Sequence, residues 1–467
     1  MVDLLDEGQM VVLGGDIART LQPGDHVGLV GDLGAGKTTL ARAVIRTLAG
    51  DPGLEVASPT FTIVQDYATQ PPLRHADLYR VEPDGLEELG LEEDLAAVLL
   101  VEWPRARMPV TVSISFCDAE GARRVSVEAD AAWCSALARQ RRASAFLASA
   151  GWGAADRRPL TRDASTRRYD RLVLGKTSAV LMDAPAFEPD PDAYARRARL
   201  ADGNPSAFLA VGDALRAAGL SAPRVIAADR KDGFLLLEDF GDEKVADGTI
   251  VAERYAAAVD GLAAFHAVPP RLPIAGYRPP RFDADLSAVE VAVYLQWALR
   301  RPADQDFLAL WREAIEALPR EDDRLALRDV HSPNLMWLAD RRGIARIGWI
   351  DYQDAMIAPS AYDVVSLAQD ARVDVPPDVE AMLVERYLAA RPSLDEAGFR
   401  RAYHVLGAQR ATRILGVFRR LDERDGKPQY LRHLPRVAQA LARNLAAEPS
   451  LAALREWYAV NADLPAP

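Results

Sequence analysis

The chain has 467 residues, of which 49% are hydrophobic and 27% charged, and its formal net charge is −12. This length predicts two or three domains of roughly 100–200 residues each. No apolar run approaches the roughly 18 residues that cross a bilayer, and the acidic N-terminus lacks the basic and apolar segments of a secretory signal. Two cysteines, Cys117 and Cys134, show no metal-binding spacing, which argues against a zinc site or a disulfide framework. We therefore predict a globular cytoplasmic protein.

The negative charge is concentrated in the first part of the chain. Residues 1–138 hold 22 acidic and 10 basic side chains, whereas residues 139–467 hold equal numbers of each. This change predicts a domain boundary there, with one domain over 1–138 and another over 139–467. Because an acidic domain repels phosphate backbones, we expect any role in nucleic-acid metabolism to depend on a protein partner, with RNA contacted only indirectly.

Strands and helices are predicted to alternate in the first domain, which indicates an α/β fold. The predicted elements are strands at 27–30, 98–102, 110–116 and 123–128, strand-like segments at 61–67 and 74–79, and a helix over about 37–48. The acidic stretch 86–95 predicts a further short helix with one solvated face.

A glycine-rich motif lies between the first predicted strand and the helix that follows it. Its residues are Gly31, Asp32, Leu33, Gly34, Ala35, Gly36, Lys37, Thr38 and Thr39. Glycines alone could serve only a tight turn. The complete G-x-x-x-x-G-K-[ST] pattern between a strand and a helix instead predicts a P-loop, in which main-chain N–H groups surround phosphate oxygens. Lys37 would then reach the β- and γ-phosphates of ATP, and Thr38 would hold Mg²⁺.

Two acidic residues downstream could complete this site. Glu102 ends the apolar run 97–101, where a strand would carry its carboxylate to the metal or to the attacking water. Asp77 is the other candidate. Either could be an ordinary surface carboxylate, but their positions downstream of the P-loop favour a functional role.

Together these segments resemble the TsaE family. The resemblance is carried by Gly31-Asp32-Leu33-Gly34-Ala35-Gly36-Lys37-Thr38-Thr39, Ser58-Pro59-Thr60-Phe61-Thr62, His75-Ala76-Asp77-Leu78-Tyr79-Arg80 and Glu102-Trp103-Pro104. It implies an ATPase that acts with TsaB and TsaD proteins in threonylcarbamoyl transfer to N6 of the adenosine beside the anticodon of ANN-decoding tRNAs. Arg105 departs from the family pattern, in which an acid often follows Trp-Pro.

The same resemblance implies a role for each site residue. Lys37 would bind phosphate, Thr38 and Asp77 would hold Mg²⁺, and Glu102 would support hydrolysis. Thr60 would lie in a switch-like loop.

The second domain is predicted to begin with strands and to continue with helices. Residues 168–174 and 179–182 form a predicted hairpin, and 234–239 a buried strand. Beyond residue 250 apolar residues recur at helical spacing. The pattern indicates a small lobe over about 155–240 and a helical lobe over about 250–467, both within 139–467.

A kinase-type catalytic loop is predicted in the helical lobe. Asp329 and Asn334 have the D-x-x-x-x-N spacing in which the aspartate accepts the proton of a substrate hydroxyl and the asparagine binds Mg²⁺. Asp351, at the end of a following apolar strand, would be a second metal ligand. The spacing alone could equally mark a helix cap and a turn. The strand-borne aspartate favours the kinase interpretation. His331 could contact substrate or stabilise the loop, and His266 is expected to pack in the core.

Residues 139–467 resemble the aminoglycoside-phosphotransferase-like kinases and, more narrowly, the AmgK anomeric sugar kinases. The motifs are Ala164-Ser165-Thr166-Arg167-Arg168-Tyr169, Val180-Leu181-Met182-Asp183-Ala184-Pro185, Leu237-Glu238-Asp239-Phe240-Gly241-Asp242, His331-Ser332-Pro333-Asn334-Leu335-Met336, Ile350-Asp351-Tyr352-Gln353-Asp354-Ala355 and Tyr362-Asp363-Val364. The resemblance implies ATP-dependent phosphorylation of the C1 hydroxyl of N-acetylmuramate or N-acetylglucosamine in peptidoglycan recycling. It also makes Glu238, Asp239 and Phe240 the adenine-side hinge.

The second domain departs from the wider kinase pattern in its small lobe. The glycine-rich loop is replaced by 165–168, and the strand 179–182 carries no lysine. We therefore expect Arg167 or Arg168 to contact the phosphates of ATP. Leu327 stands where many relatives have a histidine.

The preferred interpretation is a fusion of two enzymes that both use ATP and Mg²⁺. One alternative is a P-loop switch that regulates the kinase. Another keeps the kinase but changes its substrate to an aminoglycoside, choline or homoserine, because acceptor specificity depends on pocket shape.

Overall fold

The computed structural model describes residues 2–58, 63–82, 89–91, 96–105, 108, 110–119, 122–160, 167–185 and 205–466. It divides into two compact units, Met1–Arg158 and Pro159–Pro467. The boundary expected after residue 138 differs from this division, because it falls inside the helix Ala131–Ser149. That helix is fixed to the first unit beyond residue 138, where Ser144 Oγ donates to Asp16 Oδ1 at 2.6 Å. The distribution of charged residues along the sequence does not reveal such a packing contact.

The first unit contains a mixed sheet flanked by helices. Its described elements are β1 (Val2–Leu5), α1 (Glu7–Ala18), β2 (His26–Val30), α2 (Lys37–Ala49), β3 (Val64–Tyr67), β4 (Leu73–Asp77), β5 (Val98–Glu102), β6 (Val112–Ala119), β7 (Ala122–Glu128) and α3 (Ala131–Ser149). The predicted strands and the helix after the glycine-rich motif are confirmed, with ends shifted by a few residues. Most of the predicted helix at 86–95 lies outside the described residues.

The sheet brings the ends of three parallel strands together. Among the described strands the order is β1-β7-β6-β2-β5-β4-β3, and β5 pairs in parallel with both β2 and β4. In this register Glu102 lies opposite Leu29 on one side and Asp77 on the other. Helix α2 starts just beyond β2, so its N-terminus lies at the same edge as both carboxylates.

The first strand and the first helix were not predicted from the sequence. Helix α1 begins with a capping box, in which Asp6 accepts from the Gln9 N–H at 2.7 Å and the Gln9 side chain accepts from the Asp6 N–H at 3.0 Å. Its buried face, which includes Met10, Leu13 and Ile17, packs in the same core as α2. The capping pattern D-x-x-Q was the local signal that could have revealed this helix.

The second unit starts with antiparallel strands and continues with helices. Its described elements are β8 (Asp156–Pro159), which spans the division between the units, β9 (Arg168–Leu174), β10 (Thr177–Asp183), α4 (Pro205–Ala217), β11 (Val225–Asp229), β12 (Phe234–Glu238), β13 (Ala246–Asp247), β14 (Thr249–Ile250), α5 (Ala252–His266), α6 (Ala284–Val293), α7 (Gln305–Glu316), β15 (Asp323–Ala326), β16 (Leu335–Trp337), β17 (Ile347–Trp349), β18 (Met356–Pro359), α8 (Ala361–Ala368), α9 (Pro377–Ala390), α10 (Glu396–Glu423), α11 (Leu434–Ala447) and α12 (Ala452–Asn461).

These elements confirm the predicted strand-rich beginning and helical remainder. Strands β9 and β10 form the predicted hairpin, and β12 pairs with β10 and β11. Two short strand pairs, β15–β18 and β16–β17, frame the predicted catalytic loop within the helical part. None of the helices in the described ranges is both long and apolar enough to cross a membrane.

Substitutions on helix α1 test how closely it packs against α2. A Cβ atom added to Gly14 would lie 2.5 Å from Ala43 Cβ on α2, whereas one on the exposed Gly8 would meet only Asp6 Oδ1, at 3.4 Å. We expect Gly14→Ala to lower the stability of the first unit by about 1–3 kcal/mol through overpacking. Gly8→Ala, the matched control on the same helix, should raise it by about 0.5–1 kcal/mol. Urea unfolding of the full chain measures both, and equal effects would contradict the packing.

Candidate functional sites

The glycine-rich loop of the first unit has a backbone that requires glycine. Gly31, Gly34 and Gly36 all have positive φ angles. A Cβ atom on Gly31 would lie 2.8 Å from the main-chain oxygen of Phe116 in β6. A residue with a side chain at this position would therefore displace β6. Gly36 is also the N-cap of α2, which begins at Lys37. Sequence motif and loop shape therefore agree.

Lys37 folds back into its own loop. Its Nζ atom donates to the main-chain oxygens of Gly31 and Asp32, each at 2.8 Å, and lies 3.8 Å from the ring centroid of Trp103. Burial lowers the pKa of Lys37 from its usual range, while the nearby carboxylates of Glu102 and Asp77 oppose that shift. Lys37 is thus held by hydrogen bonds to its own loop and lines the cavity beside it.

Both predicted acidic residues lie beside this lysine. Glu102 accepts from Thr38 Oγ1 at 2.9 Å, and Asp77 accepts from Ser58 Oγ at 3.2 Å and from the Tyr79 N–H at 3.0 Å. The cavity that they share measures about 210 Å³ and is lined by Leu33, Gly34, Gly36, Lys37, Thr38, Thr39, Ser58, Asp77, Tyr79, Glu102 and Trp103. Thr60 lies outside the described residues.

Two contacts at this site were not anticipated. His75 is completely buried, and its Nε2 atom donates to Glu102 Oε1 at 3.2 Å, so the carboxylate is held from both sides. Arg105 donates to the main-chain oxygens of Leu78 and Val81. The residue that departs from the TsaE pattern therefore fixes the chain after β4. The His75–Glu102 contact depends on the pairing of β4 with β5, which spacing alone does not give.

The predicted catalytic loop of the second unit is fixed by buried aspartates on and after α8. Asp363 accepts from the main-chain N–H groups of Leu327 and Arg328, at 2.7 and 2.9 Å. Asp370 accepts from the Ser332 N–H at 2.7 Å. Because Arg328 has a φ of 72°, a conformation that costs free energy outside glycine, these bonds keep the loop in an otherwise unfavourable shape.

Arginines control the charge of Asp329. Arg413 lies 3.6 Å from Asp329 Oδ1 and also donates to the buried Glu290, which pairs with Arg328 at 2.6 Å. Burial alone would raise the pKa of Asp329, but Arg328 and Arg413 outweigh it and hold the pKa well below its usual range. Asp329 is therefore a carboxylate at neutral pH, the form that can accept a proton.

Main-chain bonding places the two predicted metal ligands of the second unit, Asn334 and Asp351, on neighbouring segments. The Ile350 N–H donates to the main-chain oxygen of Asn334 at 3.1 Å, and Asp351 follows directly. The Asn334 amide nitrogen donates to the Asp329 main-chain oxygen at 3.0 Å, which leaves its side-chain oxygen as the atom able to bind a cation. Among the described residues there is no cluster of three or more His, Cys, Asp or Glu arranged to hold a metal. One carboxylate and one amide oxygen still fit Mg²⁺, which takes its other ligands from phosphates and water.

The two candidate arginines differ in position. Arg167 lies 3.6 Å from Asp351 Oδ1, whereas Arg168, at the start of β9, is exposed. Burial raises the pKa of Asp351 and Arg167 opposes that rise. The preceding residues 161–166, including the predicted Ser165 and Thr166, lie outside the described part of the chain.

The side chains of the predicted adenine hinge are engaged elsewhere. Glu238 accepts from Arg341 at 2.6 Å, and Asp239 lies 2.9 Å from Arg171 Nε. Phe240 packs on Gly348, where an added Cβ would be only 2.7 Å from its ring. Any contact with adenine would thus come from the main chain of this segment.

The two histidines have structural contacts. His266 is completely buried, as expected, with Nδ1 3.0 Å from the Tyr387 hydroxyl and Nε2 3.3 Å from Asp363 Oδ2. His331 Nε2 lies 3.4 Å from the Asn334 amide nitrogen, and burial together with Arg372 lowers the pKa of His331. His331 is therefore a neutral member of the catalytic loop.

The second unit has the features of an ATP-dependent phosphotransferase, and comparisons with known proteins agree. Residues 156–397 match the model of the phosphotransferase enzyme family. An N-acetylmuramate/N-acetylglucosamine kinase of Caulobacter vibrioides is 43% identical over 344 residues, which cover 68% of this chain and 94% of that protein. The kinase of that name from Pseudomonas aeruginosa is 34% identical over 331 residues, which cover 66% of this chain and 90% of its own length.

The first unit matches a different family. Residues 4–125 match the model of threonylcarbamoyl adenosine biosynthesis protein TsaE. The TsaE protein of a Nostoc species is 36% identical over 138 residues, which cover 27% of this chain and 82% of that protein. The chain belongs to the phosphotransferase enzyme family and carries an N-terminal domain of the TsaE family, so it is an enzyme that joins a phosphotransferase to a member of an ATPase family.

His75 should act by orienting Glu102. Glutamine can present an amide N–H where His75 Nε2 lies, whereas leucine of similar size cannot. With Glu102 in the hydrolytic role that the TsaE resemblance implies, we expect His75→Leu to lower kcat for ATP hydrolysis by the first unit about tenfold or more, because misplacing a reacting group has effects of this size. His75→Gln should retain most of the activity. Equal losses in both variants, at unchanged thermal stability, would contradict the orienting role.

Asp363 should be essential for the shape of the catalytic loop. In Asp363→Asn one of the two buried N–H groups of Leu327 and Arg328 loses its acceptor, which costs about 1–3 kcal/mol. We expect a matching loss in the free energy of unfolding of the second unit, together with a lower kcat. The control Asp285→Asn, at an exposed position with a 3.5 Å ion pair to Arg312, should change stability by less than about 0.5 kcal/mol. A stable and fully active Asp363→Asn chain would refute this assignment.

Proposed function

We propose that the chain is a bifunctional cytoplasmic enzyme. Its first unit is a P-loop NTPase that supplies ATPase activity to the synthesis of N6-threonylcarbamoyladenosine in tRNA. Its second unit phosphorylates the C1 hydroxyl of N-acetylmuramate and N-acetylglucosamine in peptidoglycan recycling. The observation that carries the proposal is the presence of two separate sites, each pairing cationic side chains with acidic groups at the ends of strands.

In the first unit, Lys37 would bind the β- and γ-phosphates of ATP, and Gly31, Gly34 and Gly36 would let main-chain N–H groups face them. The Lys37 ammonium would exchange its two carbonyl contacts for phosphate oxygens. Thr38 and Asp77 would hold Mg²⁺, which neutralises phosphate charge when bound. The N–H groups of Asp32, Leu33, Ala35 and Thr39 would complete the phosphate-binding loop.

Glu102 would then support hydrolysis. Held by His75, it would accept a hydrogen bond from the attacking water and orient it towards the γ-phosphorus. The acidic charge of this unit favours action through TsaB- and TsaD-like partners, with tRNA contacted by them.

In the second unit, Asp329 would accept the proton of the C1 hydroxyl as the sugar oxygen attacks the γ-phosphorus. The bond between the γ-phosphorus and the bridging oxygen breaks, and ADP leaves. Asn334 and Asp351 would hold Mg²⁺ against the phosphates, and the main chain of Glu238, Asp239 and Phe240 would face the adenine. Arg167 is better placed than Arg168 to contact the transferred phosphoryl group, because it already lies beside Asp351.

Two substitutions test whether the activities are independent. Asp329→Asn should lower sugar phosphorylation by roughly 10²–10⁴-fold, the usual contribution of a general base, and leave complementation of a TsaE-deficient strain intact. Lys37→Ala should do the reverse. The measurements are the rate of sugar phosphorylation, with identification of the phosphorylated carbon, and growth complementation.

A P-loop switch that governs the kinase would instead make sugar phosphorylation depend on Lys37. Loss of both activities from either substitution would contradict the bifunctional assignment. A panel with an aminoglycoside, choline and homoserine tests the acceptor: faster turnover of any of them than of the two amino sugars would overturn the substrate assignment.

A further inference from the structure

An arginine-rich cavity adjoins the catalytic loop of the second unit. It measures about 370 Å³ and lies among α8, α10 and α11 and the segments that flank them. Its charged lining residues are Arg410, Arg432, Arg436, Arg443, Asp370 and Asp374. Neither the ATP-binding residues nor the phosphoryl-transfer residues proposed above line it.

Two residues of the cavity wall form hydrogen bonds with the catalytic loop. Arg410 donates to the main-chain oxygen of Arg328 at 2.9 Å, directly before Asp329. Asp370 accepts from the Ser332 N–H at 2.7 Å on the other side of the loop. The cavity therefore lies next to the loop that carries Asp329.

The balance of charge in the cavity favours an anion. Both carboxylate oxygens of Asp370 already accept hydrogen bonds, one from the Ser332 N–H and the other from the Arg372 N–H at 2.9 Å. Arg410 and Arg432 donate to neutral acceptors, a main-chain oxygen and His433. Arg443 pairs with Glu380 at 2.9 Å. The positive charge of Arg410 and Arg432 is thus not balanced by a carboxylate in these contacts.

A bound anion could replace Asp374 as the ion-pair partner of Arg436. It pairs with Asp374, whose side chain is 83% exposed, and an ion pair with so exposed a partner contributes little free energy. Burial and, after it, the positive charges of Arg432, Arg436 and Arg372 lower the pKa of the adjacent buried His433. A carboxylate entering the cavity would meet preplaced guanidinium groups, which bind carboxylates in a bidentate manner.

We propose that this cavity binds the carboxylate of an acidic amino sugar, the lactyl ether group that distinguishes N-acetylmuramate from N-acetylglucosamine. The inference rests on the proposed sugar kinase activity and adds a specificity subsite to it. Both sugars present the same C1 hydroxyl to Asp329, and only one carries the charge that Arg432 and Arg436 would bind. N-acetylglucosamine would leave the cavity to water.

Steady-state kinetics with both sugars test the subsite. Arg432→Gln and Arg436→Gln should each raise KM for N-acetylmuramate at least about tenfold, the size expected for losing a charge-assisted hydrogen bond. KM for N-acetylglucosamine should change less than about twofold, and kcat for both sugars should stay within that range. Asp374→Asn should lower KM for N-acetylmuramate, because it frees Arg436. The methyl ester of N-acetylmuramate, which keeps the shape and lacks the charge, should be insensitive to all three changes.

Arg386→Gln is the matched control, since Arg386 pairs with Asp260 on an exposed surface away from this cavity. It should leave both KM values unchanged. If Arg436→Gln fails to fold, the exposed Arg432 still provides the test. An active wild type whose arginine variants treat the two sugars alike overturns the subsite alone. A wild type that phosphorylates neither sugar overturns the proposed kinase function and the subsite with it.

Discussion

In each unit, a buried charged side chain bonds the main chain of the loop that carries the candidate site. Lys37 bonds two carbonyl oxygens of the glycine-rich loop, and Asp363 bonds two N–H groups of the catalytic loop. Residues 31–36 and 327–331 form neither a helix nor a strand, and buried main-chain groups need partners. Thr38 directly follows Lys37, and Asp329 directly follows Arg328, whose N–H group Asp363 bonds.

Buried charge is compensated locally in both sites. Glu102 lies between Thr38 and His75, and Glu290 lies between Arg328 and Arg413. Removing one partner from such a set leaves a desolvated charge, which is far more costly than a surface pair. In the second unit the same arginines that neutralise Glu290 keep Asp329 ionised. Structural pairing and readiness for proton transfer therefore depend on the same residues.

Local patterns were enough to predict most strands of the first sheet, the glycine-rich loop and the D-x-x-x-x-N loop, because each depends on residues that are close together in the sequence. Contacts between distant segments were not predictable. His75 meets Glu102 only through the pairing of β4 with β5, and Asp363 reaches Leu327 through the packing of α8. The choice between Arg167 and Arg168 was open for a similar reason, since neighbouring residues in an extended chain point to opposite sides.

The central claim is that one chain holds two separate sites for magnesium-bound nucleotide. Isothermal titration of the full chain with a non-hydrolysable ATP analogue, in the presence and absence of Mg²⁺, tests it most directly. We expect two binding events per chain, both weakened when Mg²⁺ is removed. A stoichiometry of one per chain, or binding that ignores Mg²⁺, would contradict it.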